Sequence, residues 1–317
     1  MYPDLIKTTF TIPGFGPLEI PSYFTGVTLG YGLAIFLLWR WGKRAKVDPD
    51  GMLDLGILMV VGGILGSRIL SVIADGHFWD YVHLCTDPMQ VDWPISKGSC
   101  MSERYSGIWD PIERVCHPDY RDCLSWVKFW RGGLAFYGGL IVASAAGFVF
   151  LKVKKLPVLR VVDITGCLIP LGLAWGRIGC FFNGCCFGSV TDSWLGVAFP
   201  KSGQASFQQF RSGLLESPHM PSLPVYPTQL FEAAFSFLIA LFCYRYVERY
   251  KQFNGQTFLV FAMLYAVMRF LEEILRRDDR GELLGMSTSQ LIAVFTVAAG
   301  AVFYYLALRS HRRRQAA

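Results

Sequence analysis

The sequence predicts an all-α polytopic membrane protein with about seven transmembrane helices, the N-terminus outside, the C-terminus cytoplasmic and a disulfide-stapled outer loop. Three observations carry that prediction. Apolar residues form 53% of the 317-residue chain and charged residues only 17%, a balance far from that of a soluble domain. The apolar residues gather in runs that reach the ~20 residues a helix needs to cross a bilayer. Basic residues, finally, crowd into every second connection between those runs.

In order, the spans fall at about 22–39, 52–74, 132–151, 161–178, 229–247, 256–275 and 288–308, within one transmembrane helical domain covering 1–317. Ahead of them Lys7 is the only early cation, and proline and glycine break the stretch before any apolar core. That is not the pattern of a secretory signal, so targeting is expected to fall to the first membrane helix. Arg40, Lys43, Arg44 and Lys46 follow the first span, and Lys152, Lys154, Lys155 and Arg160 follow the third. Arg245, Arg249 and Lys251 follow the fifth, and Arg309, Arg312, Arg313 and Arg314 the seventh. The positive-inside rule then puts these connections in the cytoplasm and the N-terminus outside. Topology accounts for the +6 net charge, and no nucleic-acid partner is needed.

The long polar loop 75–131 falls on the outer side and holds Cys85, Cys100, Cys116 and Cys123. In an oxidising compartment these read as two disulfides with three possible pairings. His77, His83 and His117 in the same loop read as solvated. A second outer segment, 188–226, carries Trp194, Phe199, Phe207 and Phe210 among prolines and few charges, a composition suited to the membrane interface.

Three arginines stand inside the apolar runs: Arg68, Arg177 and Arg269. A guanidinium at the bilayer centre costs from about 3 to about 15 kcal/mol, so each needs a partner or an anionic ligand. The pattern points to an intramembrane anion site of the kind a phosphate would fill. Around Arg177 the chain reads Gly176-Arg-Ile-Gly-Cys-Phe-Phe-Asn-Gly-Cys-Cys-Phe-Gly188. These glycines are expected to end the fourth helix and let backbone N–H groups approach a ligand, while Arg177 adds a planar donor fork. Tight helix packing is the alternative reading of the same glycines.

On the sixth helix Tyr265, Arg269 and Glu273 recur every four residues and share a face, either as a polar cavity wall or as an internal ion pair. The third helix opens Trp130-Arg-Gly-Gly-Leu-Ala-Phe-Tyr-Gly-Gly139, with glycine pairs on both sides of Tyr137 that allow close helix approach or leave its hydroxyl facing a cavity. Asp163 reads as a snorkelling charge or a partner of Arg160. No histidine lies in a span, and no Walker loop, dinucleotide fingerprint, His-Glu-x-x-His or haem motif occurs. Neither a metal nor a cofactor is therefore expected. Adjacent Cys185 and Cys186 admit a redox role, although a vicinal disulfide is strained.

These elements in order resemble the prolipoprotein diacylglyceryl transferase family over nearly the whole chain, the cysteine-bearing outer loop excepted. Gly176-Arg-Ile-Gly179 with Phe181, Asn183-Gly184 and Gly188 is similar to its glycine-rich motif, and Gly132-Gly-Leu-Ala-Phe-Tyr-Gly-Gly-Leu140 to its third-helix motif. Tyr226-Pro-Thr-Gln-Leu-Phe-Glu232 resembles its His-Pro-Ser/Thr-Gln-Leu-Tyr-Glu segment. Tyr265, Arg269 and Glu273 match its sixth-helix set, Gly66-Ser-Arg68 its second-helix arginine, Tyr23 a first-helix tyrosine and Ser287-Thr-Ser-Gln290 its seventh-helix Ser-Met-Gly-Gln.

The resemblance implies a multi-pass enzyme of the bacterial inner membrane. Its diacylglyceryl group would come from phosphatidylglycerol and pass to the lipobox cysteine thiol of a lipoprotein precursor. Carried over, Arg177 and Arg269 hold the phosphoglycerol headgroup, Glu273 orients Arg269, and Tyr137 lines the reacting centre. Tyr23, Arg68, Tyr265, Gln229, Asn183, Gly176, Gly179 and Gly188 shape the substrate pocket. The family usually has His at position 137, Asn at 180, Glu at 185 and His at 226, where this chain has Tyr137, Cys180, Cys185 and Tyr226. No base is carried over at 137, because an ordinary tyrosine, with a pKa of about 10, deprotonates a thiol poorly. A transferase of the same fold with another lipid group or acceptor, and an inactive phospholipid-binding protein, are the alternatives.

Overall fold

Each predicted span is a helix in the computed structural model, which describes residues 4–12, 16–74, 76, 78–93, 97–101, 107–128, 133–276, 282–283 and 285–316. Strands β1 (Asp4–Ile12) and β2 (Gly16–Pro21) precede helices α1 (Ser22–Arg44), α2 (Pro49–Ala74), α3 (Phe78–Thr86) and α4 (Lys97–Cys100). Then come β3 (Gly107–Asp110), β4 (Val115–Pro118), α5 (Phe136–Val153), α6 (Val158–Asn183) and α7 (Gln204–Arg211). Helix α8 (Thr228–Phe242) runs through a π turn (Cys243–Val247) into α9 (Glu248–Tyr250), followed by α10 (Gln256–Ile274), β5 (Glu282–Leu283), β6 (Met286–Ser287) and α11 (Thr288–Ala316). His77 and Trp130 to Gly132, singled out in the sequence, lie outside the described residues, as does the side chain of Tyr23 on α1.

The protein is thus mostly helical and polytopic. Among the described residues five helical stretches are long and apolar enough to cross a bilayer: Pro49–Ala74, Phe136–Val153, Val158–Asn183, Thr228–Tyr250 and Thr288–Gln315. On α2, Ile57, Val61, Leu65, Ile69 and Ile73 are exposed at every fourth position, one continuous apolar stripe that water would not tolerate and lipid would cover. The antiparallel β1–β2 hairpin carries no signal that the sequence reading used.

The chain divides into two compact units, 1–53 with 156–317, and 54–155. In the second unit α2 and α5 meet through glycine. A Cβ on Gly138 would fall against the Gly66 carbonyl, and one on Gly139 would come within 2.7 Å of the Gly63 carbonyl. The glycine pair beside Tyr137 therefore serves close backbone approach, the packing alternative. The segment between α2 and α5 is stapled twice, Cys85 to Cys123 and Cys100 to Cys116, one of the three pairings. His117 is buried, not solvated: its ring Nδ1 sits 3.1 Å from the Val91 carbonyl oxygen, beside the Cys100–Cys116 bridge. The four-residue β3–β4 turn is held by Asp110, whose Oδ1 accepts the N–H groups of Ile112 and Glu113 at 2.7 and 3.1 Å.

In the first unit α6 is central, packed by α1, α8 and α10. A Cβ on Gly26 of α1 would lie 3.0 Å from the Gly179 Cα, so these helices touch backbone to backbone. Asp163, fully buried on α6, does not pair with Arg160. It accepts from Lys251 Nζ at 2.9 Å and from the N–H groups of Gly255 and Thr257 at 2.8 and 2.9 Å, capping the start of α10. Burial opposes the Lys251 charge, but Asp163 and Glu248 outweigh it and hold the ammonium above its ordinary value. Helix α11 begins with a reciprocal cap: Ser287 Oγ accepts from the Gln290 N–H and Gln290 Oε1 from the Ser287 N–H.

Candidate active site

Helices α6, α8 and α10 bring their buried charges together around one carboxylate. Glu232, one turn into α8, is fully buried. Its Oε2 lies 2.8 Å from Arg177 Nε on α6 and 3.7 Å from Arg269 Nη1 on α10. Its Oε1 accepts the Tyr265 hydroxyl at 2.9 Å. Arg269 also reaches forward on its own helix, with Nη1 2.5 Å from Glu272 Oε2 and Nη2 3.2 Å from Glu273 Oε2. Arg276, one turn further on, lies 3.8 Å from Glu272 Oε1. The helical period stacks these groups, and burial makes each pairing obligatory.

Among the described residues three guanidinium groups face three carboxylates, so the pairing seen there leaves no surplus charge for an anion. What it offers is donors. The Arg177 contact to Glu232 is an ion pair off the N–H direction rather than an aligned hydrogen bond. Among the described residues the terminal Nη groups of Arg177 have no hydrogen-bond partner, and the side chain is 22% exposed. A guanidinium fixed at Nε with a free fork is suited to phosphate oxygens.

The fourth helix ends among the glycines, as the sequence predicts, but later than Gly176 and Gly179: α6 runs through both and stops at Gly184, in the left-handed region at φ +72°. The amides around Arg177 are consumed by the helix, and no open backbone cradle forms there. Gly179 packs on Gly26, Gly188 on Thr228 and the Leu275 carbonyl, and only Gly176 faces open space.

Beyond Gly184 the chain turns back over the helix end. Cys185 N–H donates to the Cys180 carbonyl at 3.1 Å, and Gln229 Nε2 donates to the Cys185 carbonyl at 2.6 Å. The Cys186 carbonyl accepts from Thr228 Oγ1 at 2.9 Å and from Arg276 Nη1 at 3.0 Å. Asn183 is the last residue of α6, immediately before this turn. Arg177, Arg269, Glu273, Tyr265, Gln229 and Asn183 thus belong to one neighbourhood of the first unit.

Arg68 and Tyr137 belong to the second unit. Arg68 is buried with Nε 2.8 Å from the Trp126 carbonyl oxygen, Nη2 2.8 Å from that of Ser125 and Nη1 3.1 Å from that of Gly133. Its guanidinium ties the segment before α5 to α2. Tyr137 is half exposed and packs edge-on against Phe136. Sequence reasoning left Glu232, Glu272 and Arg276 out of the site. Glu232 carried the same signal as the arginines, a charge inside a predicted span, and that signal could have found it.

Polytopic helices with a buried arginine–carboxylate network and a guanidinium open at its far end define a class of membrane protein that can set fixed donors against an anionic group. The chain matches the prolipoprotein diacylglyceryl transferase profile over residues 10–306, and it belongs to that family. It is 28% identical over 284 residues to the phosphatidylglycerol–prolipoprotein diacylglyceryl transferase of Clostridium tetani, covering 89% of this chain and 91% of that one. It is 29% identical over 288 residues to the Clostridium perfringens transferase 2, covering 90% and 91% of the two chains. It is 31% identical over 307 residues to the Wolbachia enzyme from Brugia malayi, covering 93% of each.

Proposed function

We propose that this protein transfers the diacylglyceryl group of phosphatidylglycerol to the lipobox cysteine thiol of a lipoprotein precursor. The observation that carries the reading is Arg177, anchored at Nε by the buried Glu232 and open at its Nη groups. The thiol sulfur forms a bond to the terminal glycerol carbon of the diacylglyceryl group, the bond from that carbon to the phosphate oxygen breaks, and the electron pair leaves with glycerol phosphate. Charge grows on the departing phosphate, where donors fixed in a low-dielectric site act most strongly. Arg177 receives that charge. Arg269, locked by Glu232, Glu272 and Glu273, holds the headgroup side of the network, and Tyr265 fixes the Glu232 carboxylate. Asn183 and Gln229 shape the pocket floor through Cys185.

The enzyme takes the inner membrane as a seven-span protein, N-terminus out, in keeping with its alternating basic connections. The stapled 75–131 loop lies outside, and the 188–226 segment, with Trp194 almost fully exposed, lies at the outer headgroup level. Arg68 and Tyr137 act by shaping the second unit. Purified protein in detergent, given phosphatidylglycerol and a one-cysteine lipobox peptide, tests the reading by mass spectrometry. It requires a diacylglyceryl–peptide adduct with equimolar glycerol phosphate; a folded, lipid-bound protein that yields neither rules the reading out.

A further inference from the structure

Three of the free cysteines stand together beside Arg177. The Sγ atoms of Cys180, Cys185 and Cys186 all lie within 4.8 Å of one another, and the Cys185 thiol donates to the Cys180 carbonyl at 3.7 Å. Tetrahedral zinc with Zn–S bonds of about 2.3 Å spaces its sulfur ligands at about 3.8 Å. The remaining free cysteines, Cys167 and Cys243, are filler in an apolar cluster with Ile239 and Phe261.

The backbone that presents the three thiols is held from every side. Gly184 and then Cys186, at φ +62°, turn the chain back over the end of α6. A cysteine in the left-handed region is strained and persists only where its surroundings impose it. Here Gln229, Thr228 and Arg276 clamp the two cysteine carbonyls. Cys180 is buried, while Cys185 and Cys186 are partly open, so the cluster has a closed floor and an accessible face.

We propose that Cys180, Cys185 and Cys186 bind a zinc ion as three thiolates and leave its fourth position for the acceptor cysteine of the lipoprotein precursor. The role of that fourth ligand rests on the transferase reading. Thiolates select a soft or borderline ion, and catalytic zinc sites keep three protein ligands and one open position. Zinc with three thiolates carries a net charge of −1, and the Arg276 guanidinium lies beside it, donating to the Cys186 carbonyl at 3.0 Å.

The site supplies what position 137 does not. A thiol that coordinates zinc is deprotonated outright, so its proton passes to water on binding and no side-chain base is needed. The bound thiolate then attacks the terminal glycerol carbon. The carbon–sulfur bond forms, the carbon–oxygen bond breaks, and the electron pair leaves on glycerol phosphate. No atom changes oxidation state through an outside oxidant, and the neutral thioether, a weaker ligand, is released.

The test uses full-length protein in detergent, reduced, stripped of metal and titrated with cobalt(II) as the spectroscopic stand-in for zinc. The proposal requires one cobalt per chain with a sulfur-to-cobalt charge-transfer band, displaced by zinc. A lipobox peptide with its cysteine must change the d–d spectrum, and the same peptide with serine must not. The band must vanish in Cys185→Ser, and in Cys180→Asn with Cys185→Glu, which restores the family's usual residues and guards against simple misfolding. It must survive in Cys167→Ser and Cys243→Ser.

Substoichiometric binding, a band retained in the Cys185 variants, identical spectra with both peptides, or a disulfide from Cys180 to Cys185 or Cys186 in the protein as isolated would each overturn it. No phosphatidylglycerol is present in this titration, so it is read apart from transfer. Adduct formation that is undiminished in metal-stripped enzyme overturns the zinc proposal and leaves the transferase standing. Cobalt and thiol binding as required, with no adduct under any metal loading, defeats the transferase reading and the catalytic role of the site with it.

Discussion

Glu232 Oε2 lies 2.8 Å from Arg177 Nε, the carboxylate fully buried and the guanidinium open at its far end. The same oxygen lies 3.7 Å from Arg269 Nη1, so one carboxylate sets the position of two cations on two other helices. Glu232→Gln keeps the shape and removes the charge. Because it leaves two buried guanidinium groups undercompensated, the expected loss of stability is about 3–5 kcal/mol. Initial-rate assays on the folded fraction should show adduct formation reduced about a hundredfold or more, because a misplaced donor loses its hold on the departing phosphate. Undiminished rates would mean that Glu232 is only a structural counter-ion.

At the other end of α6 the pairing of Asp163 with Lys251 holds helices rather than substrate. Lys251→Met strands a fully buried carboxylate and should lower the detergent unfolding midpoint, with a cost of about 3–5 kcal/mol. Adding Asp163→Asn should recover part of that loss, since it removes the stranded charge while its single carbonyl oxygen still accepts one of the two N–H groups of Gly255 and Thr257. The rate per folded molecule should change little in either variant.

Glycine contacts give a pair of opposite expectations on helices α2 and α5. Gly138→Ala pushes a methyl into the Gly66 carbonyl, a backbone atom that cannot swing aside, and should cost about 1–3 kcal/mol. A Cβ on Gly63 meets nothing within 4 Å, so Gly63→Ala should be neutral or slightly stabilising. Thermal unfolding of the two single variants, side by side, distinguishes them.

Non-reducing peptide mapping should recover Cys85 linked to Cys123 and Cys100 linked to Cys116. The second bridge closes 16 residues, a loop for which the chain-entropy model gives about 3 kcal/mol. Replacing Cys100 and Cys116 together by Ser should open the segment between α2 and α5 to protease before the membrane helices unfold. Protease resistance equal to the parent protein would count against that assignment.

Much of this fold was legible because lipid imposes a simple demand: backbone groups in the bilayer must be paired within a helix, so long apolar runs announce themselves. The 256–275 prediction and the observed Gln256–Ile274 differ by one residue. Helix ends set by packing were less readable. The fourth span was expected to stop at 178, but the Gly179 contact with Gly26 lets α6 continue to Asn183. Arg177 and Arg269 were found by their cost in lipid, whereas their common partner Glu232 lies 55 and 37 positions away along the chain and only the packing of α8 joins them. Arg68 shows the limit of the same signal. Its charge announced a partner, but backbone carbonyls of a loop are partners no side-chain pattern encodes. The three clustered thiols were likewise invisible, since Cys180 and the Cys185-Cys186 pair match no metal spacing until Gly184 folds the chain back.

The most direct measurement compares Arg177→Lys with the parent enzyme in single-turnover formation of the diacylglyceryl–peptide adduct from phosphatidylglycerol. Lysine keeps the charge and loses the planar fork. If Arg177 receives the leaving phosphate through its free Nη groups, the rate should fall by about a hundredfold or more while the protein stays folded. A rate within twofold of the parent would contradict the central claim and leave Arg177 as a packing partner of Glu232.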